Sequence, residues 1–461
     1  MSLTHDLASA VHPLRCDALA ERDLTAVRSL FLDFIGVAAN GSRTDSAETY
    51  RAALDRLPEP NESPLAVIGT GRSRFAVPAA MANAVAAHSI EYDDVHNSAS
   101  LHPGVVIFPT ALAASVLTPT SDEDFIRGVV IGYEVMCRVG SAANPPAHYA
   151  RHFHPTGTAG AIGAAAAAAA VSGLSAEAMV AAMGIAATMA SGSMSFLADG
   201  AWTKRLNPAL AVRAGLEAAT LAASSFLAPL DGIAGEQGFL AAYSDQPDYQ
   251  LLLKGWGDDP LAVTATSVKA HTCCRYCQGP IDAVIELRNR AGLAVDEVES
   301  IVIGLPTAAV GIVAEPYTAK QHPRTVVDAQ FSLQFGVAVA LKFGHAGLEQ
   351  FAPACIDDPE IQALMQRVDY QVDADIDRDY PAQWRAWAQI NTTDGRTLTA
   401  RVDEPKGDPG NPLTPLELVD KFRALTADSY SSDRQGRIEL LVGGLGTAPT
   451  LGELLTELAA S

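Results

Sequence analysis

The sequence predicts a mainly α protein: a large all-helical domain with an inserted smaller α+β domain. Three observations carry this reading. Apolar residues recur at helical spacing from Leu19 to about Ala265, β-branched strand-like runs gather only after Trp256, and helical patterns return after Pro415. At 461 residues the chain exceeds what one hydrophobic core usually supports. The expected division is 1–266 for the first part of the helical domain, 267–405 for the α+β domain, and 406–461 rejoining the first domain.

Each element has its own signal. The stretch DLTAVRSLFLDFIGVAANG predicts a helix opening at Asp23 and ending on Gly41 as a C-cap. Phe75–Asp94, Pro109–Pro119, Ser121–Ala143 and Ser175–Gly192 repeat the pattern, with Ser121 and Asp124 spaced as a capping box. Ala159–Leu174 is mostly alanine and glycine, too weakly hydrophobic for a membrane span, and reads as a buried helix that lets neighbouring backbones approach closely. Strands are expected at Val298–Pro306, Tyr370–Ile376 and Trp387–Asp403, the last folded into a hairpin at Asp394–Gly395. Helices are expected at Gln278–Gly292, Asp328–Gly344, Glu417–Ala427 and Leu451–Ala460. Disorder is expected only in the first few residues and near Glu404–Pro412.

Composition narrows the function. Hydrophobic residues make up 48% and charged residues 18%, which describes a globular chain. A formal net charge of −21 argues against nucleic acid and anionic membranes as partners, since both need basic patches. No basic, apolar leader opens the chain, and six irregularly spaced cysteines read as free thiols, so the expected compartment is the cytoplasm. An acidic protein that binds an acidic substrate must build a local positive site. Lysine is scarce, so Lys204 and Lys269, each beside motif-like sequence, draw notice against the plainer reading of solvated surface lysines.

Histidine and lysine recur in four apolar or Gly/Ala-rich settings: Glu91–Gly104, Arg151–Gly160, Asp199–Leu206 and Ser267–Asp282. Charge amid core sequence is costly to bury unless compensated, so these stretches are candidates for one shared pocket. Histidine suits proton abstraction beside a carboxylate, and lysine suits the developing negative charge. His102 precedes Pro103–Gly104, and His154 precedes the entry to the Ala-rich helix. Both positions could bring helix-start N–H groups to an anion. Lys204 alternatively pairs with Asp199. Cys273, Cys274 and Cys277 form C-C-x-x-C, a poor iron–sulfur set because adjacent cysteines are badly spaced and no fourth ligand is evident. Cys274 could act as a thiol nucleophile if Arg275 or Lys269 lowered its pKa.

These motifs resemble the MmgE/PrpD family in their order and spacing. The matching runs are DFIGVAANG, EYDD…HPG, FHPTGTAGAIGAAAAA, WTKRL with Gly215–Ala219, K-x-H-x-C-C-R-Y-x-Q-x-P-I-D, DAQFSLQFGVAVAL and GDPGNPLTPLELVDKF. The family includes 2-methylcitrate dehydratase, cis-aconitate decarboxylase and iminodisuccinate epimerase. The resemblance implies a helical domain interrupted by a lid, a homodimer, no metal and no organic cofactor. It also implies that His102, His154, Lys204 and Lys269 form the catalytic and anion-binding set. Asp93 and Asp94 would support them, with His271, Cys274, Gln278 and Tyr317 as further substrate contacts.

The chain departs from the family pattern at three places. Asn207–Pro208–Ala209 stands where many relatives have H-P-G, Cys274 stands where the decarboxylase branch has histidine, and His271 stands where tyrosine is common. The expected function is a cofactor-independent, dehydratase-type lyase that removes a proton alpha to a carboxylate of a small di- or tricarboxylate. An epimerase using the same pocket, or an idle binding scaffold on the same fold, are the alternatives.

Overall fold

The computed structural model describes residues 2–60 and 62–459. Helices take 58% of the chain and strands 9%, so the mainly α class holds. Among the described residues no helix is long and apolar enough to cross a membrane.

The first half is built from α1 (Leu3–Val11), α2 (Glu21–Gly41), α3 (Asp45–Leu54), α4 (Ala76–Ala87), α5 (Gly104–Leu117), α6 (Asp122–Ala142), α7 (Pro145–Ala150), α8 (Pro155–Val171), α9 (Ala176–Met189) and α10 (Thr203–Ala223). The Ala-rich α8 is buried along its whole length, packed against α5, α6, α9 and α10. Small side chains are what let so many helices meet one. A Cβ placed on Gly215 of α10 would lie 2.3 Å from the Ala164 Cβ of α8, so these two backbones touch at van der Waals distance.

Several expectations are corrected at the element ends. The α2 helix starts at Glu21, with Asp23 accepting from the Ala20 N–H at 3.0 Å. Gly41 lies inside it rather than capping it. The glycine is there because a Cβ would fall 1.9 Å from the Ala86 carbonyl oxygen. Ser121 does cap α6, accepting from the Asp124 N–H at 3.1 Å. From Leu3 to Val11 the chain is helical rather than disordered, and Met1 lies outside the described residues. An antiparallel hairpin, β1 (Pro64–Val67) and β2 (Arg72–Phe75), sits where no strand was expected. Its turn carries Gly69 and Gly71 at positive φ, a signal present in the sequence.

After the short pair β3 (Val95–His96) and β4 (Thr266–Ser267), the character changes as expected. A four-stranded sheet runs in the order β6 (Val368–Val372), β5 (Val298–Leu305), β7 (Ala386–Thr392), β8 (Thr397–Val402). The β5–β6 pair is parallel and the others antiparallel. Gly395 makes the β7–β8 turn at φ 86°. The strand expected at Tyr370–Ile376 stops early, because Asp373 accepts from the N–H groups of Asp375 and Ile376 and starts a helix at Ala374. The helix Gln278–Ala291 covers β7 and β8.

Buried apolar residues fall into two clusters. One joins α1–α6 and α8–α10 with Phe422, Leu425, Ile438 and Leu454 of the C-terminal helices. The other spans Cys273 to Ala400. The stretch expected to be disordered, Glu404–Pro412, is anchored. Asp408 is buried and accepts from Arg275 at 2.6 and 2.7 Å and from Ser267 at 2.7 Å.

Candidate active site

The site is organised by the loop from His88 to Pro103, which leaves α4 and enters α5. It carries His88, Glu91, Asp93, Asp94 and His102. Its carbonyl groups are held from the second half of the chain: Ile90 accepts from Thr272 (2.6 Å) and Gln330 (3.0 Å), Glu91 from Lys269 (3.0 Å), and Tyr92 from Lys421 (3.0 Å). Glu91 sits at φ 53°, a left-handed conformation that costs a non-glycine residue on the order of 1 kcal/mol. These bonds hold it there.

Three of the four principal sequence candidates converge. His102, His154 and Lys204 line one small cavity of about 50 Å³ with Glu91, Ser100, Tyr149, Cys274 and Arg275, walled by apolar Phe196, Ile312, Phe331 and Trp384. The His102 and His154 ring centroids are 6.5 Å apart. Lys204, near the start of α10, pairs with the Glu91 carboxylate rather than with Asp199, and its ammonium lies 5.0 Å from the Phe331 ring centre.

Lys269 stands behind the cavity wall, 2% exposed, with Nζ 3.5 Å from Glu91 Oε2 and 3.6 Å from Asp93 Oδ1. Burial works against its charge, but Asp93 and Glu91 outweigh burial and raise its pKa. Burial likewise works to neutralise Glu91, but Lys204 and then Lys269 overcome it and hold the carboxyl at about 2. The same contest leaves Asp93 well below the ordinary carboxyl range, through His102, His88 and Lys269. The expected positive hollow is therefore compensated: two buried ammonium groups face two buried carboxylates.

The histidines are fixed by what their Nδ1 atoms meet. His102 Nδ1 lies 2.8 Å from the Asp94 carbonyl oxygen and 3.1 Å from Asp93 Oδ2, both acceptors, so Nδ1 carries the proton and Nε2 the free lone pair. At His154 the arrangement reverses. Asn207 Nδ2 donates to its Nδ1 at 3.1 Å, which puts the ring proton on Nε2. Burial, reinforced by His88 and Lys204, drives the His154 pKa well down, so this ring is neutral.

Asp94 is turned away from the cavity. Its carboxyl accepts from the Gly104 N–H (2.9 Å) and the Tyr133 hydroxyl (2.7 Å), and burial pushes it up to about 7. The helix-start N–H beside His102 is thus occupied by Asp94 rather than open to a substrate. At α8 the Gly157 and Thr158 N–H groups already bond the His154 carbonyl.

The remaining candidates hold the site from outside. His271 bonds Asp282 at 2.9 Å, and Gln278 bonds the backbone of His271 and Cys273. Neither lines the cavity. Tyr317 lies elsewhere, its hydroxyl donating to the Val368 carbonyl at 3.0 Å. Cys274 does line the cavity, but burial and then Cys277 push its thiol up to about 12, which removes it as a nucleophile near neutral pH.

Sequence reasoning missed Glu91 as the partner of both lysines, and missed His88. The HSIEYDD run held the signal: several ionisable groups immediately after an apolar helix. His88, Asp93 and His102 also bring potential metal-ligand atoms within 4.8 Å of one another. The His88–Asp93 hydrogen bond and the approach of His102 to the same carboxylate account for the grouping, and the Lys269 ammonium beside Asp93 opposes a divalent cation.

An imidazole held at Nδ1 with its Nε2 free, a second imidazole presenting N–H, and a buried ammonium lining one small cavity are the equipment of an enzyme that moves protons. Comparison with known families places it further. Residues 5–252 match the MmgE/PrpD N-terminal domain and residues 271–446 the MmgE/PrpD C-terminal domain, so the chain belongs to the MmgE/PrpD family. It is 29% identical to the cis-aconitate decarboxylase-like protein oryM of Aspergillus oryzae, over 98% of this chain and 96% of that one. Cis-aconitate decarboxylase of Aspergillus terreus is 27% identical (98% and 95% covered), and that of Homo sapiens 28% (94% and 89%).

Proposed function

We propose that the protein is a cofactor-independent lyase of the dehydratase type acting on a small di- or tricarboxylate, with His102 as the base. The observation that carries this is the fixing of His102 Nδ1 by Asp94 and Asp93, which leaves Nε2 as the free nitrogen of a cavity-lining ring. A substrate carboxylate competes with Glu91 for Lys204. His102 Nε2 takes the α-proton, and the His154 Nε2–H donates a hydrogen bond to the carboxylate as negative charge builds on it. The C–H electron pair becomes the new C=C bond as the β-hydroxyl leaves. Lys204 protonates that hydroxyl, so water departs, and the proton on His102 then restores Lys204.

Epimerisation is the second reading, favoured because His102 and Lys204 approach the same cavity from different elements. Lys204 would then return a proton to the opposite face of the carbanion. The residues of the second core would act as a lid over the pocket. Exposed Phe226, Leu227 and Leu230 support a homodimer, and a single monomeric species in sedimentation would remove that part. Six unpaired cysteines fit a reducing, cytoplasmic setting.

The test is incubation in deuterated buffer with cis-aconitate, citrate, 2-methylcitrate and four-carbon hydroxy acids, followed by NMR. Dehydration gives an unsaturated product, decarboxylation releases CO₂, and epimerisation gives exchange without net loss. His102→Ala should slow whichever occurs by about 10²–10⁴-fold. Neither exchange nor product with any acid would leave the idle scaffold as the better reading.

A further inference from the structure

We propose that His88, which does not line the cavity, is a positioning residue that sets the basicity of His102 by sharing its carboxylate. The proposal rests on the reading of His102 as the base. His88 caps α4 and is fully buried, with Nδ1 2.7 Å from Asp93 Oδ2. That is the same oxygen that His102 Nδ1 approaches at 3.1 Å. An ionised carboxylate only accepts, so His88 presents Nδ1–H to this oxygen, while the His102 Nδ1–H points at the Asp94 carbonyl and its ring stands within ion-pair reach of the same oxygen. The His88 and His102 rings meet edge to face, their centroids 4.9 Å apart. The His88 Nε2 is buried with no hydrogen-bond partner. A ring in that state has one function open to it, the bond its Nδ1 makes.

Sharing has a direct chemical consequence. A proton arriving on His102 makes an imidazolium whose stability depends on how much of the Asp93 charge it receives. The His88 N–H takes part of that charge, which weakens the hold of Asp93 on a proton arriving at His102. Without it, Oδ2 belongs to His102 alone, and the imidazolium is stabilised before any substrate arrives.

The other charged and titratable groups around the pair are Glu91 and Asp94 on the same loop, His154 opening α8, Lys204 of α10, Lys269 after β4, and the buried Asp33–Lys421 pair. Lys269 stays beside Asp93 when His88 is replaced, so the carboxylate remains ionised.

The experiment is histidine C2 hydrogen–deuterium exchange read by mass spectrometry across pH, on the full chain without substrate. His88→Leu removes the donor, and His88→Asn keeps an N–H near the Nδ1 position. The His102 midpoint should rise by about one pH unit in His88→Leu, the scale of one hydrogen bond to a charged group. It should stay within a few tenths of a unit in His88→Asn. Equal midpoints in wild type and His88→Leu, or equal shifts in both variants, overturn the proposal. Should His88→Leu not fold, the wild-type chain decides: His88 itself must titrate near pH 4, and a midpoint near neutrality refutes the locked, neutral ring. The two readings fail separately. Full turnover in His102→Ala removes the base assignment, whereas an unmoved His102 midpoint beside an inactive His102→Ala removes only the role of His88.

Discussion

Replacing Lys269 by methionine separates a lysine that binds substrate from one that holds the site together. Its Nζ lies 3.5 Å from Glu91 Oε2 and 3.6 Å from Asp93 Oδ1, and it also donates to the Glu91 carbonyl. At such distances and an effective dielectric of 20, each pair is worth roughly 5 kcal/mol before desolvation. Removing one partner of a buried pair typically costs about 3–5 kcal/mol, because the other charge is stranded. With an unfolding entropy of ~2.1 cal/mol/K per residue, that lowers Tm by about 3–5 °C in a chain of this length. Urea unfolding at pH 7.5 measures the loss. The acid limb gives a second reading. Glu91, held at about 2, and Asp93, held well below the ordinary range, both have folded pKa values below their unfolded ones. Their stabilisation is present at neutral pH and is lost as pH falls from ~4.5 toward 2, where the unfolded chain binds more protons. In Lys269→Met both carboxyls rise, so the acid loss shrinks. A variant as stable as wild type, with only a raised KM, would refute this and return Lys269 to the substrate.

Two further substitutions probe the scaffold. Asp94 is pushed up to about 7 by burial, so between pH ~4 and 7 the folded state holds a proton that the unfolded state has released. Its contribution is therefore present below that window and drains away as pH rises through it. In Asp94→Asn the drain is absent, and the variant should gain on wild type by up to about 4 kcal/mol from pH 4 to 7. A difference independent of pH would show that Asp94 titrates normally. Gly215→Ala should destabilise by about 1–3 kcal/mol, since the new Cβ lands 2.3 Å from Ala164 and outweighs the better helix propensity of alanine. A rise in Tm would mean the α8–α10 seam has slack.

Much of the fold was legible because it follows local rules. The period of apolar residues fixes α2, α6 and α9, and Asp394–Gly395 fixes the β7–β8 hairpin. Errors arose where one residue type serves two physical ends. Gly41 carries the mark of a helix cap but is required by a backbone contact with Ala86. The Glu404–Pro412 run has the composition of a loose loop but is tied by the Arg275–Asp408 pair. His102, His154 and Lys204 could be named from motif order. Asp93 could be named beside them, but Glu91 could not, because Lys204–Glu91 and Lys269–Glu91 are contacts between distant segments with no local signature.

Those distant contacts also explain why neither half of the chain can make the site alone. The chemistry-bearing loop belongs to the helical half, yet its carbonyl groups at Ile90, Glu91 and Tyr92 are gripped by Thr272, Gln330, Lys269 and Lys421. Release of that grip would free Glu91 from its left-handed backbone, and with it the carboxylate opposite Lys204. Asp93, two residues on, would lose its Lys269 neighbour, and His102 would lose the charge that orients it. The placing of His102, Lys204 and Glu91 is therefore set by contacts between segments far apart in the chain. A site so built is assembled by tertiary structure, and its buried charges are tolerable only in the assembled state.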